Sequence, residues 1–235
     1  MMRLCRIALL LAVALAVPAH ATPVIRGSGG GGGAAPVVAS FSATDTGATA
    51  VTQIEVTKPS GTAEGDYLVA FVSKDSTTGT GWTLPSAWNQ VSNSTGGPAQ
   101  HKLHADKTAG GSEPATYIFE HDDSDNMRAA MLRITGAAAS GQLETFLTND
   151  TSGANPLCPS ITTSGANRLI LLVVFQDQNG SLTQPAGSTL VTSSGGSTIS
   201  ISVAAKVQAS AGSTGTAEWT GNTNSARCFS IAIKP

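Results

Sequence analysis

The chain has 235 residues, of which 40% are hydrophobic, with 13 basic and 15 acidic residues. This length can bury a sizeable core, and an all-β unit of about 200 residues can form one domain. The charge balance offers no excess of basic residues for phosphate backbones, so the composition argues against nucleic acid as a partner.

The first 21 residues have the pattern of a cleaved signal peptide. Arg3 and Arg6 make a basic segment, residues 7–17 are apolar, and an Ala-His-Ala cleavage pattern ends at Ala21. The apolar segment has about half of the roughly 20 residues that cross a bilayer. We therefore expect an exported mature chain without a membrane span, in a periplasmic, cell-surface or extracellular location.

Residues 22–36 are rich in glycine, and this composition predicts a flexible linker. A solvated tail exposed by processing is the alternative interpretation. Without Arg3 and Arg6, 11 basic residues remain against 15 acidic ones, a formal charge of −4. Residues 37–235 are expected to form a β-sandwich domain.

Two apolar runs organise this domain. Residues 67–73 follow Gly65-Asp66, and residues 168–175 follow Asn167. Both runs are short and rich in β-branched and aromatic residues, which predicts strands that are buried on both faces.

The other predicted strands are short and are separated by turns of Gly, Ser and Pro. They cover residues 37–43, 51–57, 88–93, 100–107, 115–120, 127–135, 143–148, 160–163, 188–193, 198–207, 216–220 and 227–234. No segment has a clear helical period. The pattern predicts an all-β fold, an antiparallel β-sandwich of jelly-roll-like type.

The sequence also indicates an internal repeat. Thr83-x-Pro85 and Val91 recur 100 residues later as Thr183-x-Pro185 and Val191. Further matches in the same order join Leu103 and Ala105 to Val203 and Ala205, 116–119 to 216–219, and 127–134 to 226–233. We predict two pseudo-repeated halves, about 51–136 and 158–235, that share one core by packing sheet on sheet. Two separate small sandwiches are the alternative.

Cys158 and Cys228 are the cysteines that remain after cleavage. An exported chain with two cysteines has one possible internal pairing, so a disulfide bond is predicted. Two buried thiols are the alternative, because free cysteine often occupies a core as a small apolar residue.

The densest acidic stretch contains Asp122, Asp123 and Asp125. Oxygen ligands from a loop suit calcium, so these residues are candidate metal ligands, and no other cofactor is predicted. The glycine and the distal glutamate of an EF-hand loop are missing, which favours a polar hairpin turn instead. His101 and His104 face opposite sides of a predicted strand and cannot share a metal, so we expect solvated histidines.

The three tryptophans are candidates for stacking against sugar rings. Trp219 aligns with Phe119 in the repeat and Trp88 begins a predicted strand, so both are expected in the core. Trp82 lies in a Gly/Thr-rich loop and is expected to be exposed, which makes it the candidate ligand-binding residue.

Several motifs together resemble a known group of proteins. They are Ala63-Glu64-Gly65-Asp66-Tyr67-Leu68-Val69-Ala70-Phe71, then Pro85, Trp88 and Val91, then Lys107-Thr108-Ala109 with Ser112-Glu113-Pro114-Ala115-Thr116-Tyr117-Ile118-Phe119, and the ending Ile231-Ala232-Ile233-Lys234-Pro235. The pattern resembles β-sandwich modules of bacterial exported proteins and of phage tail or virion-surface proteins, over most of residues 50–235. The resemblance implies a fold and carries no catalytic signature. The cysteine pair departs from it.

Three functions are compatible with this sequence. The first is an exported, non-catalytic β-sandwich that contacts an extracellular glycan or protein surface in adhesion. The second is a structural component of a virion, tail or surface appendage. The third is a hydrolase that acts on polysaccharide. It ranks last because the sequence has no G-x-S-x-G motif and no evident acid pair, and we predict no catalytic residues.

Overall fold

The computed structural model describes residues 33–76, 78–79, 81–94, 101–178, 180, 182–195, 198–221 and 224–235. The predicted signal peptide and most of the predicted linker lie outside these residues.

All regular structure in the described residues is β. The strands are β1 (Val37–Asp45), β2 (Val51–Thr57), β3 (Tyr67–Lys74), β4 (Trp82–Thr83), β5 (Asn89–Ser94), β6 (His101–Thr108), β7 (Thr116–Asp125), β8 (Met127–Thr135), β9 (Leu143–Thr151), β10 (Leu157–Cys158), β11 (Thr162–Thr163), β12 (Arg168–Gln176), β13 (Thr189–Gly195), β14 (Ser200–Gln208), β15 (Gly212–Ser213), β16 (Ala217–Glu218) and β17 (Ala226–Ile233). Within the same residues, no helix has the length and apolar character needed to cross a membrane.

The strands form two five-stranded sheets and three smaller sheets, all of them antiparallel. The first large sheet has the order β1-β8-β3-β6-β5, and the second has the order β9-β17-β12-β14-β13. The strands β2-β7-β4 make a three-stranded outer sheet beside the first. Beside the second lie the pairs β10-β16 and β11-β15 and a single bridge between Thr183 and Thr220. The all-β antiparallel prediction is therefore confirmed.

The molecule is built in layers, because each large sheet buries both of its faces. A central cluster of apolar side chains lies between the two large sheets and includes Phe71, Leu132, Val173 and Phe229. In that cluster the ring centroids of Phe71 and Phe175 are 6.3 Å apart.

Two outer clusters complete the core. The first lies between the first large sheet and β2-β7-β4 and includes Ile54, Leu103 and Phe119. The second lies between the second large sheet and the short outer strands, and includes Ile170 and Trp219.

The middle strands β3 and β12 are buried on both faces, as the sequence predicts. Every residue of β3 is buried, as are all residues of β12 after Arg168. Each strand also begins after a residue with positive φ, 86° at Gly65 and 58° at Asn167. A left-handed residue at this point turns the chain sharply into the sheet, and Gly and Asn accept that conformation at low cost.

Most predicted strands lie within two or three residues of the observed ones, but two groupings are wrong. The predicted second half begins at about residue 158 and leaves out the strand at 143–148, whereas β9 pairs with β17 in the second sheet. The match of Leu103 and Ala105 to Val203 and Ala205 is also out of register. Leu103 and Ala105 lie in the first outer cluster, whereas Val203 and Ala205 lie in the central cluster. The two pairs therefore occupy opposite faces of their sheets.

Candidate functional site

Trp82 is buried, and the expectation that it is exposed is wrong. Its side chain is 8% accessible and belongs to the first outer cluster. The short strand β4 pairs with β7 and holds the indole against the His121 ring, 4.8 Å between centroids. Trp88 and Trp219 are buried as predicted. The tryptophans therefore support the core, and Trp82 offers no open stacking face.

The acidic stretch is strand and not a hairpin turn. Asp122, Asp123 and Asp125 all lie in β7, in the part where its pairing with β2 is irregular. Asp123 accepts hydrogen bonds from Lys74 Nζ at 3.1 Å and from the Thr78 hydroxyl. Among the described residues, no group of three or more His, Cys, Asp or Glu side chains is arranged to hold a metal ion.

The histidines are buried, which corrects the expectation of solvated rings. His101 on β6 and His121 on β7 are 0% and 4% accessible, and their ring centroids are 4.7 Å apart, edge to face. Among the described residues, none is a hydrogen-bond partner of either nitrogen of His101 or of Nε2 of His121. Burial, together with the charge of Lys74, lowers the pKa of His121. The two rings meet because β6 and β7 belong to adjacent layers.

His104 lies on the opposite face of β6, in the central cluster. Its ring is completely buried and contacts Phe71 at 5.1 Å and Phe146 at 5.8 Å between centroids. Desolvation lowers its pKa to about 3. His101 and His104 therefore face opposite sides of the strand, as the three-residue spacing predicts.

Three carboxylates with low accessibility are held in ion pairs. These pairs are Asp66 with Arg133, Glu113 with Lys107, and Glu144 with Arg168. Burial opposes the charge of Glu113, but hydrogen bonds from Lys107, Tyr117 and the Gly110 backbone leave its pKa lowered. The pKa of Glu144 is likewise lowered by hydrogen bonds from Ser164 and Arg168. Carboxylates that are held in this way suit fold stabilisation better than proton transfer.

An open groove of about 560 Å³ lies beside the end of β9. Six of its eight lining residues have polar side chains, and the lining consists of Asn149, Asp150, Thr151, Ser152, Ala154, Asn155, Leu157 and Glu218. The β9 edge and the 152–156 connection form one wall, and the pair β10-β16 forms the other. Carboxylates, amides and hydroxyls in one lining can both donate and accept hydrogen bonds.

The lining side chains are partly fixed by one another. Asn155 Nδ2 donates to Glu218 Oε1 at 2.8 Å across the groove, and Asn149 Nδ2 donates to the Leu157 carbonyl at 3.0 Å. Two hydrogen bonds from Arg227, at 2.5 and 2.6 Å, hold the Asp150 carboxylate. These hydrogen bonds lower the pKa of Asp150. Asp150 is therefore a charged acceptor at the rim.

The disulfide bond lies directly behind the groove. Cys158 and Cys228 are paired, with a Cα–Cα distance of 4.8 Å, in agreement with the predicted pairing. Cys158 directly follows Leu157, which lines the groove, and Cys228 is the cross-strand partner of Asn149. The bond thus ties the two walls of the groove together.

A second cleft, of about 420 Å³, lies over Pro85, Lys107, Glu113 and Tyr117 in the first half. Its polar groups satisfy one another, because Glu113 accepts hydrogen bonds from Lys107 at 2.7 Å and from the Tyr117 hydroxyl at 2.5 Å. Burial and the bond to Glu113 raise the pKa of Tyr117. The cleft therefore has less free hydrogen-bonding capacity than the groove.

The sequence does not predict the groove. Its lining comes from 149–157 and from Glu218, which the pairing of Leu157 with Glu218 brings together. The predicted disulfide is the sequence feature that could have indicated the groove, since it implies that the segment before Cys158 lies near the last strand.

No protein-family model matches the chain, and no curated protein and no solved structure matches it either.

Proposed function

We propose that this chain is an exported, non-catalytic interaction module that binds an extracellular polyhydroxylated surface, with a glycan as the ligand of the groove. The observation that carries the proposal is the polar lining of the groove at Asn149, Thr151, Asn155 and Glu218, braced from behind by the disulfide. Small-molecule pockets are mostly enclosed and lined by hydrophobic side chains, whereas this groove is open and polar groups stand among apolar surface, which suits a hydroxylated chain lying across it.

Export is supported by two independent features of the sequence and structure. Residues 1–21 have the pattern of a signal peptide, and Cys158 is bonded to Cys228. Disulfide bonds persist in oxidising compartments outside the cytosol. A ligand of the groove would therefore be met outside the cell or in the periplasm.

We also propose that the two halves are repeats of one jelly-roll unit. In the first half the large sheet contains β1-β8-β3-β6 and the outer sheet contains β2-β7-β4. This strand order results when a long β-hairpin folds back on itself to form two sheets, as in a jelly roll. In the second half the large sheet has the corresponding order β9-β17-β12-β14.

Cross-strand ion pairs at corresponding positions support the repeat. Asp45 is paired with Arg128 in the first half and Asp150 with Arg227 in the second, each at 2.5 Å. In both halves the two residues are cross-strand partners, at the end of the first strand and the start of the last. The repeat places the groove beside the first strand of the second unit.

A glycan array followed by titration calorimetry tests the groove. The double substitution Asn155→Ala, Glu218→Ala removes two lining side chains that bond mainly to each other, so the fold should persist. Each hydrogen bond to a ligand contributes about 0.5–1.5 kcal/mol, so the double variant should bind at least about fivefold more weakly.

The matched control is Glu120→Ala, an exposed acid on the outer sheet of the first half. It should bind as the unaltered protein does. Binding to no glycan on a broad array would contradict the proposal, and so would equal affinity in the double groove variant and the unaltered protein.

The second candidate is a structural building block of a virion, tail or surface appendage. The jelly-roll strand order favours it as well, because this architecture occurs in capsid proteins as in lectins. Light scattering across a concentration series separates the two candidates. Assembly into defined oligomers without glycan binding would favour the building block, and a monomer at all concentrations would count against it.

A further inference from the structure

The cross-strand pair at the end of the middle strand differs between the two halves. In the second half, Gln176 of β12 is paired with Ser200 of β14, and Ser200 Oγ donates to Gln176 Oε1 at 2.9 Å. In the first half the pair at the same place, where the middle strand ends, is Lys74 with His101. The fold therefore accepts a neutral, hydrogen-bonded pair here, and the imidazole of His101 is not required by the architecture.

The first half instead assembles a cluster that leaves buried nitrogens unsatisfied. His101 and His121 meet at 4.7 Å between centroids, and three of their four ring nitrogens have no hydrogen-bond partner among the described residues. A buried polar atom without a partner costs about 1–3 kcal/mol. Such atoms in a native fold call for a specific explanation, and a bound ion is one of them.

The fourth nitrogen lies beside a carboxylate. His121 Nδ1 accepts a hydrogen bond from the backbone N–H of Asp123 at 3.2 Å, and it lies 3.0 Å from Asp122 Oδ1. In this geometry a neutral ring carries its proton on Nε2. A cation bound at Nε2 would displace that proton to Nδ1, where the Asp122 carboxylate can accept it. A carboxylate behind an imidazole is the arrangement that orients histidines toward metals.

The charged groups near the rings are mixed in sign. Lys74 is buried, and its ammonium is 3.1 Å from Asp123. Asp122 adds a second negative charge beside His121. Burial and Lys74 lower the pKa of His121 whereas Asp122 raises it, so the carboxylate offsets part of the repulsion that a cation would meet.

We propose that His101 and His121 form a binding site for a single divalent transition-metal ion of the zinc or copper type. Imidazole nitrogens suit these metals, whereas calcium and magnesium prefer oxygen. Two imidazoles supply half of a tetrahedral set, and water supplies the remainder. The inference is independent of the groove, which lies in the other half of the chain.

Titration calorimetry with Zn²⁺ and with Cu²⁺ on the full chain, without a polyhistidine tag, tests the site. The unaltered protein should bind one equivalent of metal, and His101→Ala and His121→Ala should each abolish saturable binding. Asp122→Asn should weaken binding by about tenfold or more, because the orienting carboxylate is lost. Histidine NMR signals should shift on Zn²⁺ addition for these two rings.

Two further variants keep the test decisive. His104→Leu removes the histidine on the opposite face of β6 and should bind metal as before. The double variant Lys74→Gln, His101→Ser copies the pair Gln176–Ser200, so it should fold and bind no metal. The proposal is overturned if the unaltered protein shows no saturable binding of either metal. It is also overturned if either the double variant or His101→Ala binds as tightly as the unaltered protein.

Discussion

His104 shows how a single titratable side chain can set the acid stability of this protein. The ring lies among Phe71, Phe146 and Phe229 in the central cluster, and desolvation lowers its pKa from 6.5 to about 3. The unfolded chain therefore takes up a proton at this histidine at a higher pH than the folded protein does. Stability is fully present above pH 6.5 and falls as the pH falls toward about 3.

We expect His104→Leu to remove most of this dependence. At pH 4 the histidine should cost roughly 3 kcal/mol of unfolding free energy relative to pH 7, because each unit of pKa shift is worth about 1.4 kcal/mol. Urea unfolding at both pH values measures it. The loss between pH 7 and pH 4 should be smaller in the variant by about that amount. Equal losses in the two proteins would show that the ring is solvated in the folded state.

At the scale of elements, corresponding turns lead into β5 and β13. In each turn a backbone N–H donates to the carbonyl of the proline three residues earlier, Trp88 to Pro85 at 3.2 Å and Ser188 to Pro185 at 3.1 Å. The third turn residue has positive φ in both, 65° at Ala87 and 74° at Gly187. Glycine, which accepts positive φ at low cost, occupies this position only in the second turn.

Ala87→Gly should therefore stabilise the protein. Relief of the left-handed alanine is worth about 1–2 kcal/mol, offset by about 0.4–1 kcal/mol of added entropy in the unfolded chain, for a net gain of roughly 0.5–1 kcal/mol. Thermal and urea unfolding measure the change. The matched substitution Gly187→Ala should destabilise by a similar amount, since a Cβ there meets no atom within 4 Å and strain alone acts. A loss of stability in Ala87→Gly would contradict this account of the turn.

At the scale of the whole molecule, the central cluster joins the two halves into one core. Phe71 and Leu132 of the first sheet pack in the same cluster as Val173 and Phe229 of the second. A half expressed alone would expose this apolar face of its five-stranded sheet, and exposed patches of that kind drive association.

We expect residues 33–136 alone to associate or aggregate, measured by size-exclusion chromatography with light scattering. Co-expression with residues 137–235 should restore a soluble one-to-one complex, because each sheet then covers the other. A monomeric 33–136 fragment that unfolds cooperatively would show instead that the halves are independent sandwiches.

The two buried middle strands, the turns before β5 and β13 and the favoured cysteine pairing could be predicted from the sequence. The apolar runs at β3 and β12 are buried on both faces, and Pro85 and Pro185 mark corresponding turns. These features follow from local composition, from the two-residue alternation of side chains along a strand, and from the single pairing that is possible for two cysteines.

Which element covers each face of a strand depends on the tertiary structure. Strand alternation tells which residues share a face, but it does not tell whether another sheet lies over that face. His101 and Trp82 look polar or loop-like in the sequence, yet both are buried because β2-β7-β4 covers the first large sheet. The groove likewise exists only because the pairing of Leu157 with Glu218 brings together segments about 60 residues apart, a contact that no local pattern encodes.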